Sequence, residues 1–341
     1  MPTASQTRTP PRDPGPDLPE VAMHLHIPPE PAVGRVTKNE ICTAPKAAAF
    51  IRHVEIDIAG SRLEGSFRVG QSFGVLAPGT DEKGRPHALR LYSIASPSGG
   101  EDGQGRVLST TVKRLIDERW EGEGLYLGLT SNYLCDMRPG DEVRLTGPNG
   151  KRFLLPARPE EHDYLFVATG TGIAPFRGML KELIEQGAAP ESQAALIMGA
   201  PYETDLIYHG WLDRLTAEHD RFTYLTALSR QPQIPQAPRG PGKAATLAEP
   251  SEGRMYVQDR LHAAREDLLP LLCSDRTLIY ICGLLGMELG VIARLADFLP
   301  TEWLARYVQI DPEVMGASAT WDRKMLGRKI KPTRRTFIET Y

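Results

Sequence analysis

The chain has 341 residues, a formal net charge of -3 and a sequence pI near 6.3. That is long enough for two ordinary domains, each with its own core, and too close to neutral to draw the molecule as a whole onto nucleic acid or an anionic membrane. Its four cysteines, Cys42, Cys135, Cys273 and Cys282, contain no CxxC pair, so no disulfide framework and no zinc or iron–sulfur cage is expected; a cytoplasmic protein without a resident metal fits.

No run reaches the ~18 apolar residues of a membrane span, and the start of the chain lacks the basic patch and apolar core of an export signal. Residues 1–33 hold nine prolines and little apolar periodicity, which predicts a disordered Pro-rich tail. Residues 34–157 show short alternating runs, such as 50–58 and 106–112, separated by Gly, Pro, Asn and Asp. That spacing predicts an antiparallel β-barrel. Within it, Arg90-Leu91-Tyr92-Ser93-Ile94-Ala95-Ser96 alternates as a strand, with Arg90 and Tyr92 on one face to meet the phosphate and ring of a flat, charged ligand.

Over residues 158–341 the pattern changes to apolar strands alternating with helices. Strands are expected at 164–169, 194–198, 222–228 and 278–282, and helices from about 175, over 205–216 and over 287–298. Alternation of this kind predicts a Rossmann-like parallel sheet. The Pro/Gly/Ala-rich stretch 231–252 reads as a surface loop.

Several motifs carry chemistry. Gly170-Thr171-Gly172-Ile173-Ala174-Pro175 leaves a strand and opens a helix, so its glycines let backbone approach a pyrophosphate that the helix N-terminus favours. Ser229-Arg230 ends a strand with no acidic residue for a free ribose hydroxyl, which suits a 2'-phosphate, and Tyr256 can stack on adenine. Cys282-Gly283 ends the last clear strand, where α/β sheets place ligands; its neighbours offer no cation to make a thiolate. The segment Phe337–Tyr341 is aromatic and apolar and follows seven basic residues between Arg323 and Arg335. With Lys151 and Arg152, these are expected to form a rim that steers an acidic carrier.

Taken together, RLYSIAS (90–96), VKRL (112–115), SNYLCDMRPGDEVRLTGP (131–148), GTGIAPFR (170–177), the Gly199-Ala200-Pro201 turn, SR (229–230), MYVQ (255–258), CGLLGME (282–288) and ETY (339–341) resemble the plant-type ferredoxin-NADP reductases over nearly the whole chain beyond residue 33. The resemblance implies an FAD-binding barrel followed by an NADP-binding domain. It implies that Arg90, Leu91, Tyr92, Ser93, Val112, Lys113, Ser131 and Tyr341 hold FAD. For NADP it implies Lys113, Gly170, Thr171, Gly172, Ala200, Pro201, Ser229, Arg230, Tyr256, Gln258, Gly283, Leu284 and Glu339. Ser93, Cys282, Glu339 and Tyr341 would surround the reacting rings as the catalytic set.

Asp117 stands where the family commonly has a tyrosine against the FAD adenine, with Trp120 the nearest aromatic along the chain. The activity implied is hydride exchange between NADP(H) and FAD, and single-electron exchange with ferredoxin or flavodoxin, by a monomer. The alternatives are a reductase component dedicated to an oxygenase, of the kind that serves benzoyl-CoA, and a nucleotide-binding sensor without turnover.

Overall fold

The computed structural model describes residues 15–118, 124–231 and 255–341. In β1 (Ala32–Ile41) the first six residues alternate buried and exposed, the pattern of a strand with one wet face. After it come β2 (Ile51–Asp57), β3 (Ser72–Leu76), β4 (Arg90–Ser93), β5 (Val107–Lys113), a hairpin of β6 (Ile116–Glu118) and β7 (Leu125–Leu127), helix α1 (Leu129–Asp136) and β8 (Glu142–Asn149).

Six of these strands form one antiparallel sheet in the order β4-β3-β8-β1-β2-β5. Its inner face buries Val36, Ile56, Phe67, Phe73, Leu108 and Leu145. The edge strands β4 and β5 approach each other: Thr110 Oγ1 donates to the Ser93 carbonyl at 2.8 Å, and the Ala95 amide donates to the Ser109 carbonyl at 2.8 Å. The sheet therefore curls back on itself, as the turn spacing predicted.

The second sheet begins with β9 (Asp163–Thr169). It is followed by α2 (Ile173–Leu180), β10 (Ala194–Ala200), α3 (His209–Glu218), β11 (Phe222–Leu228), α4 (Val257–Ala263), α5 (Arg265–Leu272), β12 (Thr277–Gly283), α6 (Met287–Phe298), α7 (Thr301–Tyr307), a short pair β13 (Val308–Ile310) and β14 (Ile330–Pro332), and β15 (Thr336–Thr340). Five parallel strands lie in the order β11-β10-β9-β12-β15.

Every residue of β10 and β12 is buried, because helices cover both faces. Phe176 of α2 and Leu212 of α3 pack on one side, and Leu261 of α4 with Val291 of α6 on the other. The chain runs outward from β9 to β11 and then returns to β12 on the other flank of β9. That reversal leaves a crevice at the carboxyl ends of β9 and β12. Helix α3 starts four residues later than the expected 205, because Glu203–Asp205 forms a 3₁₀ turn and Tyr208 then takes a left-handed φ of 58°.

The expected disordered tail over 1–33 does not hold for residues 15–33. Their backbone groups find fixed partners: Asp17 O accepts from the Ala157 amide at 2.9 Å, Ala22 O from Gln71 Nε2 at 3.0 Å, and the His24 amide donates to Pro148 O at 2.9 Å. Proline-rich backbone carries few donors to satisfy, so it can be tied down by its carbonyls without regular structure. Residues 1–14 and most of the expected loop, 232–252, lie outside the described residues.

Candidate functional site

A cleft of about 720 Å³ runs from the β4 edge of the first sheet to the crevice of the second. Its floor is β4, paired with β3 so that Tyr92 sits opposite Phe73 and Ser93 opposite Ser72. The Tyr92 ring lies 6.4 Å from that of Phe73, which braces it from behind while its outer side lines the cleft. Arg90, one pleat away on the same face, is exposed at the cleft edge.

Beyond Arg90 stands α1, which has no side-chain cap, so its first-turn amides are available to an anion. Gly128 immediately precedes it, and a Cβ there would come within 2.7 Å of Ser131 Oγ and 2.8 Å of Leu115 Cβ. Glycine is what lets the turn fold this tightly. Ser131 Oγ accepts from the Leu115 amide at 3.3 Å, which ties the turn to the end of β5. Lys113 and Leu91 also reach the cleft, but Val112 does not: its side chain is 1% exposed and packs in the barrel core. Only the backbone of Val112 remains for a ligand, because residues on either side of a strand alternate.

At the other end of the cleft the turn Gly170–Gly172 joins β9 to α2. A Cβ on Gly172 would sit 2.1 Å from the Cys282 carbonyl, so the turn passes against β12 only because that residue is glycine. Gly283 has a φ of 148°, and a Cβ there would lie 2.2 Å from Thr169 Oγ1. The register of β12 with β15 places Cys282 beside Glu339 and Gly283 beside Thr340.

The Tyr341 amide donates to Gly283 O at 3.0 Å, and its hydroxyl lies 2.5 Å from Thr171 Oγ1. Tyr341 is thereby pinned across the cleft, facing the same space as Tyr92 and Ser93. Burial pushes the Glu339 carboxyl up to about 6. Burial and the neighbouring Glu339 push the Cys282 thiol well above its ordinary value, so Cys282 is a neutral, fully buried thiol and not a nucleophile.

A third group lies at the ends of β10 and β11. The Ser229 and Arg230 amides donate to the carbonyls of Ala200 and Pro201, and the Met255 amide donates to Leu228 O. These bonds bring Arg230 and Tyr256 to one surface, with Tyr256 46% exposed at the start of α4. Gln258 lies against Gly290 of α6, where an added Cβ would be 3.2 Å from its amide carbon. Leu284, 63% exposed, heads the loop between β12 and α6.

Two expectations change in the structure. Asp117 pairs directly with Tyr126 across the β6–β7 hairpin, so their side chains share a face. Tyr126 is 52% exposed and lines the cleft near Ser131. The aromatic missed at position 117 is thus present on the opposite strand, a fact visible only once the hairpin register is known; Trp120 lies outside the described residues. The basic rim is in part already paired: Arg323 binds Glu288 at 2.9 Å, Lys329 binds Glu313 at 2.8 Å, and Arg334 donates to Pro16 O at 3.4 Å. A face with these cations engaged steers a carrier less than their count suggests.

Comparison with known proteins gives a consistent result. The family model described as oxidoreductase NAD-binding domain matches residues 166–292. The chain is 35% identical to a ferredoxin–NADP reductase of Spirulina sp., covering 80% of this chain and 88% of that protein. It is 37% identical to the chloroplastic leaf isozyme 1 of ferredoxin–NADP reductase from Oryza sativa subsp. indica, covering 80% and 70%. Among solved structures, a ferredoxin-NADP+ reductase from Plasmodium falciparum with 2'P-AMP shares the fold with a TM-score of 0.64 at 18% identity, over 93% of this chain and 99% of that one.

Proposed function

The chain belongs to the ferredoxin–NADP reductase family, and from that premise we propose how its residues divide the work. The protein is a flavoprotein oxidoreductase that exchanges electrons between NADP(H), FAD and ferredoxin. The observation that carries the assignment of roles is the single cleft on which Tyr92, the α1 N-terminus, the Gly170–Gly172 turn, Glu339 and Tyr341 converge.

The residues present fit FAD. A flat ring has an aromatic wall in Tyr92, a pyrophosphate has Arg90 and the uncapped start of α1 with Ser131, and an adenine has the exposed face of Tyr126. Leu91, the Val112 backbone and Lys113 complete that side. FAD, when bound, supplies the two-electron and one-electron chemistry; the chain binds, orients and shields. Ser93 offers a hydroxyl at the end of β4, whereas Cys282, fully buried beside Glu339, does not line the cleft and supports the crevice only from within.

Glu339, titrating near 6, can hold or release a proton at its carboxyl close to neutral pH. As a carboxylate it also stabilises the positive charge that a nicotinamide gains on giving up hydride. NADP is held by Gly170, Thr171 and Gly172 at its pyrophosphate, with Gly283 and Leu284 on the nicotinamide side. Ser229, Arg230, Tyr256 and Gln258 take the 2'-phosphoadenosine end, with Ala200 and Pro201 shaping the turn and Lys113 adding charge from the barrel side.

Tyr341 lies where a nicotinamide must enter, so nucleotide binding displaces it and breaks its contact with Thr171. The stacking surrendered is worth roughly 0.5–1.5 kcal/mol beyond area, about a two- to ten-fold effect on affinity. Tyr341→Ser is expected to bind NADP about two- to ten-fold more tightly and to turn over more slowly because product leaves late. Titration with NADP, followed in the flavin spectrum, checks this; an unchanged dissociation constant would show that Tyr341 gates nothing.

The electron carrier is ferredoxin, with flavodoxin an equivalent one-electron partner, and the enzyme acts as a monomer in the cytoplasm. The four cysteines are all free, which suits a reducing compartment. Among the described residues no helix is long and apolar enough to cross a membrane. No observation favours the dedicated oxygenase component or the silent sensor.

A further inference from the structure

The seam between the two sheets contains a polar network outside the cleft. Arg177, in α2, donates Nη1 to the Ala95 carbonyl at 2.9 Å and pairs with Glu101, with Nη2 to Glu101 Oε2 at 3.2 Å. Both side chains are nearly buried, at 13% and 11% exposure. Glu101 also accepts from Ser109 Oγ at 2.7 Å. The Arg177 guanidinium lies 5.2 Å from the centroid of the Tyr208 ring. The Tyr208 hydroxyl is 2.8 Å from Thr111 Oγ1 and 2.8 Å from His53 Nδ1. Thr111 and His53 belong to strands of the first sheet, whereas Arg177 and Tyr208 belong to the second unit.

This seam is built for geometry more than for adhesion. Burying a charge pair returns little net stability over an apolar contact of the same shape, but it penalises every arrangement that separates the partners. Tyr208 keeps a left-handed φ of 58°, a conformation that a bulky residue holds only when its surroundings demand it. The backbones also touch: a Cβ on Gly178 would lie 2.5 Å from the Ser96 carbonyl, so α2 rests directly on the segment that leaves β4.

The sequence positions of these contacts matter. Ala95 lies just past Ser93 on the flavin strand, and Arg177 lies within the first turns of the helix that begins after Gly172. We propose that Arg177, Glu101 and Tyr208 are positioning residues for hydride transfer. They lock the helix that opens at the nucleotide turn onto the segment that follows the flavin strand, and so fix the spacing of the two sites. This rests on the reading of the cleft as an NADP(H) and FAD site. A misplacement of about 1 Å at reacting centres can cost on the order of 100-fold in rate, so a small slide along this seam is enough.

The test uses the full chain with FAD bound, as Tyr208→Phe and as Glu101→Gln. Tyr208→Phe keeps the ring and the backbone strain and removes only the hydroxyl bridge. Anaerobic stopped-flow mixing with saturating NADPH is expected to show flavin reduction slowed about ten-fold or more in both. The dissociation constant for NADP and the FAD content of Tyr208→Phe should match the parent, and the variant should stay folded at the assay temperature, while the flavin difference spectrum at saturating NADP shrinks.

Parent-like reduction rates in Tyr208→Phe overturn the proposal, whether or not Glu101→Gln folds. A rate loss that only tracks lost FAD or lost folded protein overturns it too, since that marks a packing role. A parent protein whose flavin NADPH does not reduce refutes the reading of the cleft instead.

Discussion

Arg90→Ala is expected to purify largely without flavin. The guanidinium is the one cation of β4, exposed on the cleft face one pleat from Tyr92, and a charge-assisted hydrogen bond to a phosphate is worth on the order of 1.5–3 kcal/mol. Losing it weakens flavin binding by about 10- to 150-fold. The same titration separates the two ends of the ligand. Tyr126→Ala should weaken FAD, by roughly 1 kcal/mol of stacking, and leave FMN nearly unaffected, because FMN has no adenine. Arg90→Ala should weaken the dinucleotide at its phosphates in either background. Apoprotein of each variant titrated with FAD and with FMN, by quenching of flavin fluorescence, gives the answer. Equal FAD affinity in the parent and Arg90→Ala removes Arg90 from the site, and equal losses of FAD and FMN in Tyr126→Ala mean that Tyr126 does not meet adenine.

The second large effect concerns nucleotide choice. Arg230 is exposed at the end of β11, its backbone fixed by the amide bond to Pro201 O, with Tyr256 brought alongside through Met255. An exposed guanidinium held at that surface matches a 2'-phosphate, and no carboxylate stands in Ser229-Arg230 to bind a free 2'-hydroxyl. Arg230→Ala should raise the KM for NADPH by about 10- to 100-fold with little change in kcat, and leave NADH kinetics almost as they were, because only NADPH carries the phosphate. Steady-state kinetics with both nucleotides and ferricyanide checks this. Equal losses with both would make Arg230 a support of the turn and not a phosphate ligand.

Much of this architecture was legible in the sequence, for definite physical reasons. Short runs broken by Gly, Pro, Asn and Asp mark the β1–β8 region because antiparallel strands are joined by tight turns, and the largely apolar runs of β9, β10 and β12 mark a sheet covered on both sides. Gly170 to Pro175 marked the strand-to-helix turn because only a strand end, a tight turn and a helix start need that order of residues.

What could not be read was register and long-range partnership. Tyr126 faces the place of Asp117 only through the pairing of β6 with β7. Val112 turns inward because of its parity on β5. Residues 15–33 follow their surface because distant carbonyls and amides, at Ala157, Gln71 and Pro148, complete their hydrogen bonds. The basic residues near 323–335 looked like a free rim, yet Glu288 and Glu313, far off or unremarkable in sequence, engage two of them. The buried Arg177–Glu101 pair has the same origin, since 76 residues separate its members.

The central proposal is one cleft that carries electrons from NADPH through FAD to ferredoxin. The direct measurement is anaerobic: purified protein with FAD bound is mixed with NADPH and an excess of oxidised ferredoxin, and the flavin and ferredoxin spectra are followed together. The expected result is rapid loss of flavin absorbance, then reduction of two ferredoxins for each NADPH consumed, with NADH a poor substitute. A flavin that NADPH leaves oxidised, or one that is reduced but passes no electrons to ferredoxin, would contradict it.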